Sequence, residues 1–370
     1  MTIVYHEEDG DLEHLADKKI AVIGYGNLGR PAALNLRDSG INVLIGARAV
    51  DTSVHAASDG FRVISVAEAA QQAQIIMLLI PDEVMPQVYL EQVAPYLSRG
   101  DTLIFGNAYN ITFGFIEPPP FVDVGLIAPR TLGDAVRARH EAGRGFYSFV
   151  AVGQDASGGA WKTVLALARG VGSLRAGAIE IAFEQEAHLD LFIQQAVLPA
   201  FHHMVITAAR LLMSKGYPPE AVLTELYIGG EFTDYLSRAA QDGLLHALQL
   251  GSMTSQYGTF SRLDRFGDLK LERLMEVTLE EITTGAFARE WAKEYSDGYP
   301  RLDKLRKSQS DMEVWELEQQ TLDMLMPFRE EGGYDNNSQF APNRDDETAF
   351  DFDNDDDDSR FAPPKRGDDH

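Results

Sequence analysis

The sequence contains no cysteine, which excludes disulfides, thiolate metal sites and a cysteine nucleophile. Positive charge is scarce: 32 Lys and Arg stand against 57 Asp and Glu, a formal net charge of −25. Nucleic acid and anionic membranes both demand positive potential, so neither is an expected partner. No uninterrupted apolar run reaches the roughly 18 residues of a membrane span. The opening "MTIVYHEEDGDLEHL" lacks the basic start and apolar stretch of a signal peptide. A cytoplasmic location is the expectation.

What is present is enough for a large core. With 370 residues, 45% of them hydrophobic, the length suggests two domains. The charge is uneven. Residues 331–370 hold 13 acidic and 4 basic side chains, a net −9 that leaves −16 for the rest.

Up to residue 181 the chain alternates short apolar runs with helical spacing. The runs "KIAVIG", "NVLIGA", "IIMLLI", "DTLIFG", "VGLIAP" and "SFVAVG" read as strands of a parallel sheet covered on both faces. This predicts a doubly wound, Rossmann-type α/β domain over 1–181. Beyond it, apolar residues recur three and four apart in "HLDLFIQQAVLPAFHHMVITAARLLMSKG" and "LKLERLMEVTLEEITTGAFAREWAKEY", which predicts an all-α domain over 182–330. The acidic segment 331–370 is rich in Asp, Asn, Pro and Gly. It is too poor in aliphatics to offset its ordering entropy, so it is expected to be disordered. Its two echoes, "SQFAP" and "SRFAP", arise by chance in a biased tail or form a duplicated docking peptide anchored by Phe340 and Phe361.

One motif carries chemistry. Gly24, Gly26 and Gly29 form G-x-G-x-x-G between a strand and a helix, the spacing that seats a dinucleotide pyrophosphate on a helix N-terminus. Near the next strand end, Arg48, Thr52 and Ser53 favour the 2′-phosphate of NADP, while Asp51 favours the ribose of NAD. The balance favours NADP.

Taken together, "IVYHEEDGDLEHLADKKIAVIGYG", "PDEVMPQVYLEQVAPYLSRGD", "RAGAIEIAFEQEAHLDLF", "GSMTSQYG" and "MPF" resemble the short-class ketol-acid reductoisomerases over about 1–328. The resemblance implies a knotted helical domain like the C-terminal domain of 6-phosphogluconate dehydrogenase, paired with a second subunit in a homodimer or larger homo-oligomer. It implies a magnesium-assisted alkyl migration followed by hydride transfer from NAD(P)H to a small carboxylate substrate. It places the cofactor on Gly24, Tyr25, Gly26, Asn27, Leu28 and Gly29, with Pro81 and Asp82. The catalytic positions it assigns are Arg130, Asp190, Glu225 and Ser252.

Several positions depart from the family pattern. Where the family holds metal with Asp and Glu four residues apart, this chain has Asp190 and Gln194. The second pair keeps Glu225 but places Gly229 four residues on, with Glu231 available only if the helix slips. Magnesium wants anionic oxygen ligands, so Asp190 and Glu225 are expected to form an incomplete site. Asn107 stands where the family has histidine, and Arg130 where it has lysine; arginine holds an anion but does not exchange its proton. Ser252 is either a grip for substrate with Arg130 or a helix-terminal hydroxyl. Glu186, Asp190 and Gln194 share one helical stripe, and His202 with His203 point too far apart to chelate one ion.

Three functions follow from these expectations. The first is an NAD(P)H-dependent reductase of a 2-oxo or imino acid that dispenses with the isomerisation, with water or Tyr109 as proton donor. The second is an inactive paralogue serving as a scaffold whose tail recruits a protein partner. The third is an ordinary ketol-acid reductoisomerase.

Overall fold

The structure, a computed structural model, describes residues 2–47, 50–263, 265 and 270–326; the side chains of 50–53 are outside that description. The expected disordered tail, 331–370, with Phe340 and Phe361, lies outside the described residues. Met1–Glu331 form one compact unit.

All six expected runs are strands. In chain order the strands are β1 (Val4–Tyr5), β2 (Ile20–Ile23), β3 (Val43–Gly46), β4 (Val63–Ile64), β5 (Ile75–Leu78), β6 (Thr102–Phe105), β7 (Asp123–Pro129), β8 (Ser148–Gln154) and β9 (Ala178–Glu180). They form one sheet in the order β1-β9-β8-β7-β6-β5-β2-β3-β4. Every residue of β2, β5 and β6 is buried, because helices cover both faces. The helices Gly29–Asp38 and Ala160–Val171 supply Ala33, Leu36 and Leu167 to one face. Helix Val66–Gln72 supplies Val66 and Ala69 to the other. The sheet is mixed rather than parallel throughout: β7–β8 and β1–β9 run antiparallel. Period and hydrophobicity do not encode strand direction, so the apolar runs were silent on this.

The order places a topological switch between β2 and β5. From β2 the chain moves outward through β3 and β4, then returns to β5 and leaves on the other side. Loops leaving the carboxyl ends of β2 and β5 therefore diverge and open a crevice, the usual ligand position in such sheets.

After β9 the described residues through Leu325 form helices and the turns between them, with no further strand among them. One continuous helical stretch, Phe183–Ser214, contains a widened π-turn at Ile193–Val197 just before Pro199. Proline cannot donate to the carbonyl four residues back, and the widened turn absorbs that loss. The stretch is long and apolar enough to cross a membrane by length and composition alone. Scattered polar residues hid it from a search for uninterrupted runs.

Candidate functional site

The loop after β2 is shaped by contacts that only glycine permits. Gly24 adopts φ +96°, and a Cβ there would lie 2.6 Å from the Leu79 carbonyl oxygen that follows β5. A Cβ on Gly29 would lie 2.3 Å from the Gly24 oxygen. The strand end, loop and helix start are thus pressed together at the switch point. Among the described residues, no backbone carbonyl takes the N–H groups of Gly26, Asn27, Leu28 or Gly29. Those donors at a helix N-terminus suit a pyrophosphate, so the chain fits a dinucleotide here.

The remaining expected cofactor residues divide. Asn27 is exposed at the loop tip, and Leu28 is half-buried against the core. Tyr25 turns inward: it is 4% exposed, and its hydroxyl donates to Asp59 at 2.8 Å. Only its backbone faces the loop. Arg48 lies outside the described residues. Thr52 and Ser53 lie on helix Val50–Ser58, with their side chains outside the description. Pro81 and Asp82 follow β5, where the Pro81 carbonyl accepts the N–H of Val84.

Asp82 joins this loop to the segment after β6. Asn107 Nδ2 donates to Asp82 Oδ1 at 3.0 Å, and Asn110 Nδ2 to the Asp82 carbonyl at 3.1 Å. Burial pushes the Asp82 carboxyl up to about 6, with the Asn107 hydrogen bond opposing and Glu83 and Asp190 adding to the rise. Tyr109 is 8% exposed with no partner for its hydroxyl among the described residues. Burial, then the carboxylates of Asp82 and Glu83, hold its proton more tightly than usual.

Across from this segment, β7 delivers Arg130 to helix Phe183–Phe192. Arg130 Nη2 donates to Glu186 Oε1 at 2.9 Å and Nη1 to Asp190 Oδ1 at 3.1 Å. The guanidinium lies 4.9 Å from the centre of the Phe149 ring. Glu186 is completely buried, and its other oxygen accepts Ala108 N–H at 2.8 Å. Burial raises the Glu186 carboxyl to about 7, against the opposing pull of Arg130. Both its oxygens accept from donors, which favours the ionised form. Gln194 Nε2 donates to Asp190 Oδ2 at 2.7 Å.

The structure does not bring the four expected catalytic residues together within one chain. Arg130 and Asp190 meet. Glu225 is exposed on a π-turn, Thr224–Ile228, whose last bond runs from Gly229 N–H to the Thr224 carbonyl at 2.8 Å. Gly230 then turns left-handed at φ +86° and Glu231 begins a new helix, so Glu231 does not slip into register with Glu225. Ser252 caps helix Met253–Phe260, accepting Ser255 N–H at 3.2 Å. No hydrogen bond joins it to Arg130 among the described residues. His202 stacks on Trp315 and His203 faces Thr207. Among the described residues, no group of three or more His, Asp or Glu side chains is placed to hold a metal ion. An amide N–H and a guanidinium on the carboxylates are the wrong partners for a magnesium pair, and the side chains of one chain do not fit it.

Sequence reading placed Glu186 on the stripe with Asp190 but did not make it the buried partner of Arg130. Its signal was the i, i+4 spacing with Asp190. Asn110, the second clasp on Asp82, left no signal.

Comparison with known proteins matches both halves of this architecture. Residues 14–177 match the family described as "Acetohydroxy acid isomeroreductase, NADPH-binding domain". Residues 183–327 match "Ketol-acid reductoisomerase, C-terminal domain". The chain belongs to the ketol-acid reductoisomerase family. It is 42% identical to the "Ketol-acid reductoisomerase (NADP(+))" of Pyrobaculum calidifontis over 307 residues, covering 82% of this chain and 93% of that one. It is 39% identical to the protein of the same name from Methanocaldococcus jannaschii, over 84% and 94% of the two chains. Among solved structures, an "NADH-preferring ketol-acid reductoisomerase from an uncultured archean" superposes with TM-score 0.82 and 34% identity, covering 86% of this chain and 98% of its own. Family membership makes the chain an NAD(P)-binding protein of the oxidoreductase type. The two cofactor preferences in these names fall on either side of the balance read at Arg48, Asp51, Thr52 and Ser53.

Proposed function

We propose that this chain is an NAD(P)H-dependent reductase of a small 2-oxo or imino acid that does not perform the two-metal rearrangement. One observation carries the reading: Gln194, at the family's second carboxylate position, donates an amide N–H to Asp190. A donor there cannot serve as a bridging anion between two ions. Bound NAD(P)H would supply the hydride to the substrate's carbonyl or imine carbon. The chain's own part is to hold the pyrophosphate at the Gly24–Gly29 loop, to present Arg130 beside the substrate and to deliver a proton. Asp82, with its raised carboxyl, and the unpartnered Tyr109 hydroxyl are the groups for that proton. NADP is the expected cofactor, with NAD the alternative.

The second reading is a working ketol-acid reductoisomerase, favoured by about 40% identity to relatives of that name across more than nine-tenths of their length. It requires ligands from another subunit, and the exposed Glu225 is available to such a pairing. The assembly proposed is therefore a homodimer or larger. For residues 331–370 we propose a docking role toward a protein partner; loss of that partner on deleting 332–370 is the check. The setting proposed is the cytoplasm.

Turnover separates the readings. NADPH oxidation is followed with 2-acetolactate and with a panel of 2-oxo acids, each with and without magnesium. Metal-independent oxidation on a 2-oxo acid is the expected result. Magnesium-dependent turnover of acetolactate would install the second reading, and cofactor binding without any turnover would remove both.

A further inference from the structure

Helix Val50–Ser58 carries Asp51, Thr52 and Ser53, the residues read for the ribose end of the cofactor. Little apolar packing holds it: of its described side chains, those of residues 54–58, only Ala56 is buried. Its far end is closed by hydrogen bonds instead. Gly60 N–H donates to the Ala57 carbonyl at 2.9 Å and Phe61 N–H to the Ala56 carbonyl at 3.0 Å, with Gly60 left-handed at φ +84°. Asp59 stands at this terminus and reaches the nucleotide loop. Its Oδ2 accepts the Tyr25 hydroxyl at 2.8 Å and Arg30 Nε at 2.7 Å, and its Oδ1 accepts Arg30 Nη2 at 3.2 Å. Arg37, on the same helix as Arg30, donates Nη1 to the Asp59 carbonyl, and its guanidinium lies 4.9 Å from the centre of the Phe61 ring. Phe61 in turn meets the Tyr25 ring edge-on at 5.7 Å.

We propose that Asp59 is a positioning residue for the dinucleotide. It fixes the ribose-reading helix against the pyrophosphate loop and so sets both affinity and the preference between NADP and NAD, with no contact of its own to the cofactor. The two ends of the nucleotide are held by different elements. Pyrophosphate belongs to the Gly24–Gly29 loop, and the ribose, with or without its 2′-phosphate, to the segment that opens helix Val50–Ser58. A cofactor gains fully from both only if their separation is set before it binds. Tyr25 ties the loop into this clasp, and Arg30 ties in the helix that follows the loop. Arg30 sits in the first turn of that helix, where a free cation opposes the macrodipole. Asp59 offsets that charge through two parallel bonds, the geometry in which arginine grips a carboxylate best. Both functional readings share the cofactor site on which this rests.

Fluorescence titration of the full chain with NADPH and with NADH tests the clasp without any substrate. The variants are Asp59→Ala, Asp59→Asn and Tyr25→Phe, each titrated well below its own melting temperature so that lost stability does not pass for lost affinity. In Asp59→Ala the cofactor that the wild type prefers should weaken about tenfold and the other about threefold, so that the preference shrinks. A merely structural role would leave that ratio unchanged. Tyr25→Phe keeps the ring on Phe61 and the Asp59–Arg30 pair, and should weaken both cofactors by the same factor. Asp59→Asn keeps an acceptor for Tyr25 but loses the charge; it should shift the preference in the same direction, and it decides the question if the alanine variant does not fold. Affinities within about twofold of wild type for both cofactors in the folded Asp59 variants overturn the proposal. So does an equal loss of both. A wild type that binds neither nucleotide removes the cofactor site and this inference with it, a result distinct from wild-type binding that the variants leave intact.

Discussion

At the scale of single residues, the costliest group in the site is Glu186, a carboxylate with no exposure to water. Its charge is tolerable because a guanidinium and a backbone N–H reach it. Removing one partner of a buried pair costs about 3–5 kcal/mol, since the other charge is left without compensation. Arg130→Ala is therefore expected to lower unfolding free energy by about 3 kcal/mol in urea titration. Arg130→Lys should lose less, because the charge survives and only the two-handed grip goes. A loss below half a kilocalorie for the alanine variant would mean that Glu186 is neutral. Asp82 gives a pH signature of its own. Its carboxyl stands at about 6 in the folded chain, against an ordinary 3.8, so the folded state holds that proton more tightly. The contribution to stability is complete below the ordinary value and is lost as pH rises through about 6. Asp82→Asn cannot ionise and should escape this loss. Between about pH 4 and about pH 7 the variant should gain roughly 1–3 kcal/mol relative to wild type. An unchanging difference across that range would place Asp82 in water.

At the scale of elements, the nucleotide loop depends on two backbones touching. A methyl group on Gly29 would press on the Gly24 carbonyl at 2.3 Å, and a backbone atom cannot swing aside as a side-chain tip can. Gly29→Ala should cost about 1–3 kcal/mol of stability. It should also weaken NADPH binding about tenfold or more in a fluorescence titration. Unaltered affinity would show that the loop does not hold the pyrophosphate. Gly133 is tighter still, because a Cβ there would overlap the Asn27 carbonyl; this contact between the β7–helix segment and the loop has no signature in sequence. The β2 loop itself was legible because strand, glycine spacing and helix all fall within about ten residues. The strands between were legible because both faces are buried and the runs are uniformly apolar. What escaped was set by long-range partners. The edge strands β1 and β4, and β9 next to β1, are two or three residues long and leave no periodic pattern. The antiparallel turn of β8 against β7 depends on pairing, not on composition. In the site, the Glu186–Asp190–Gln194 stripe could be read from four-residue spacing, whereas the guanidinium that binds it arrives from a strand 56 residues away.

At the scale of the whole molecule, apolar surface is distributed too unevenly for a lone chain. Of the 32 large apolar side chains exposed among the described residues, 24 lie from Leu189 onward. The same helices contribute few fully buried residues, while the sheet region has two continuous cores. Along the stretch Phe183–Ser214, Val197, Met204 and Leu211 recur every seven residues and so lie on one face; they are 37%, 50% and 57% exposed. Monomeric proteins seldom leave contiguous apolar patches of that kind uncovered. A bilayer could cover such a helix, but Glu186 and Asp190 lie in its first turns, paired to Arg130 from the sheet. A second copy would cover the face without separating those charges. The wild-type chain should therefore run as a dimer or larger species in size exclusion with light scattering. Its melting temperature should rise with protein concentration, because association stabilises only the folded state. Met204→Glu with Leu211→Glu should shift the species toward monomer and remove that concentration dependence, while NADPH still binds at the Gly24–Gly29 loop. A wild-type chain that stays monomeric and soluble at micromolar concentration would leave this face without a partner of its own kind. Glu225 would then have no second subunit to serve, and the reductoisomerase reading would lose the ligands it needs.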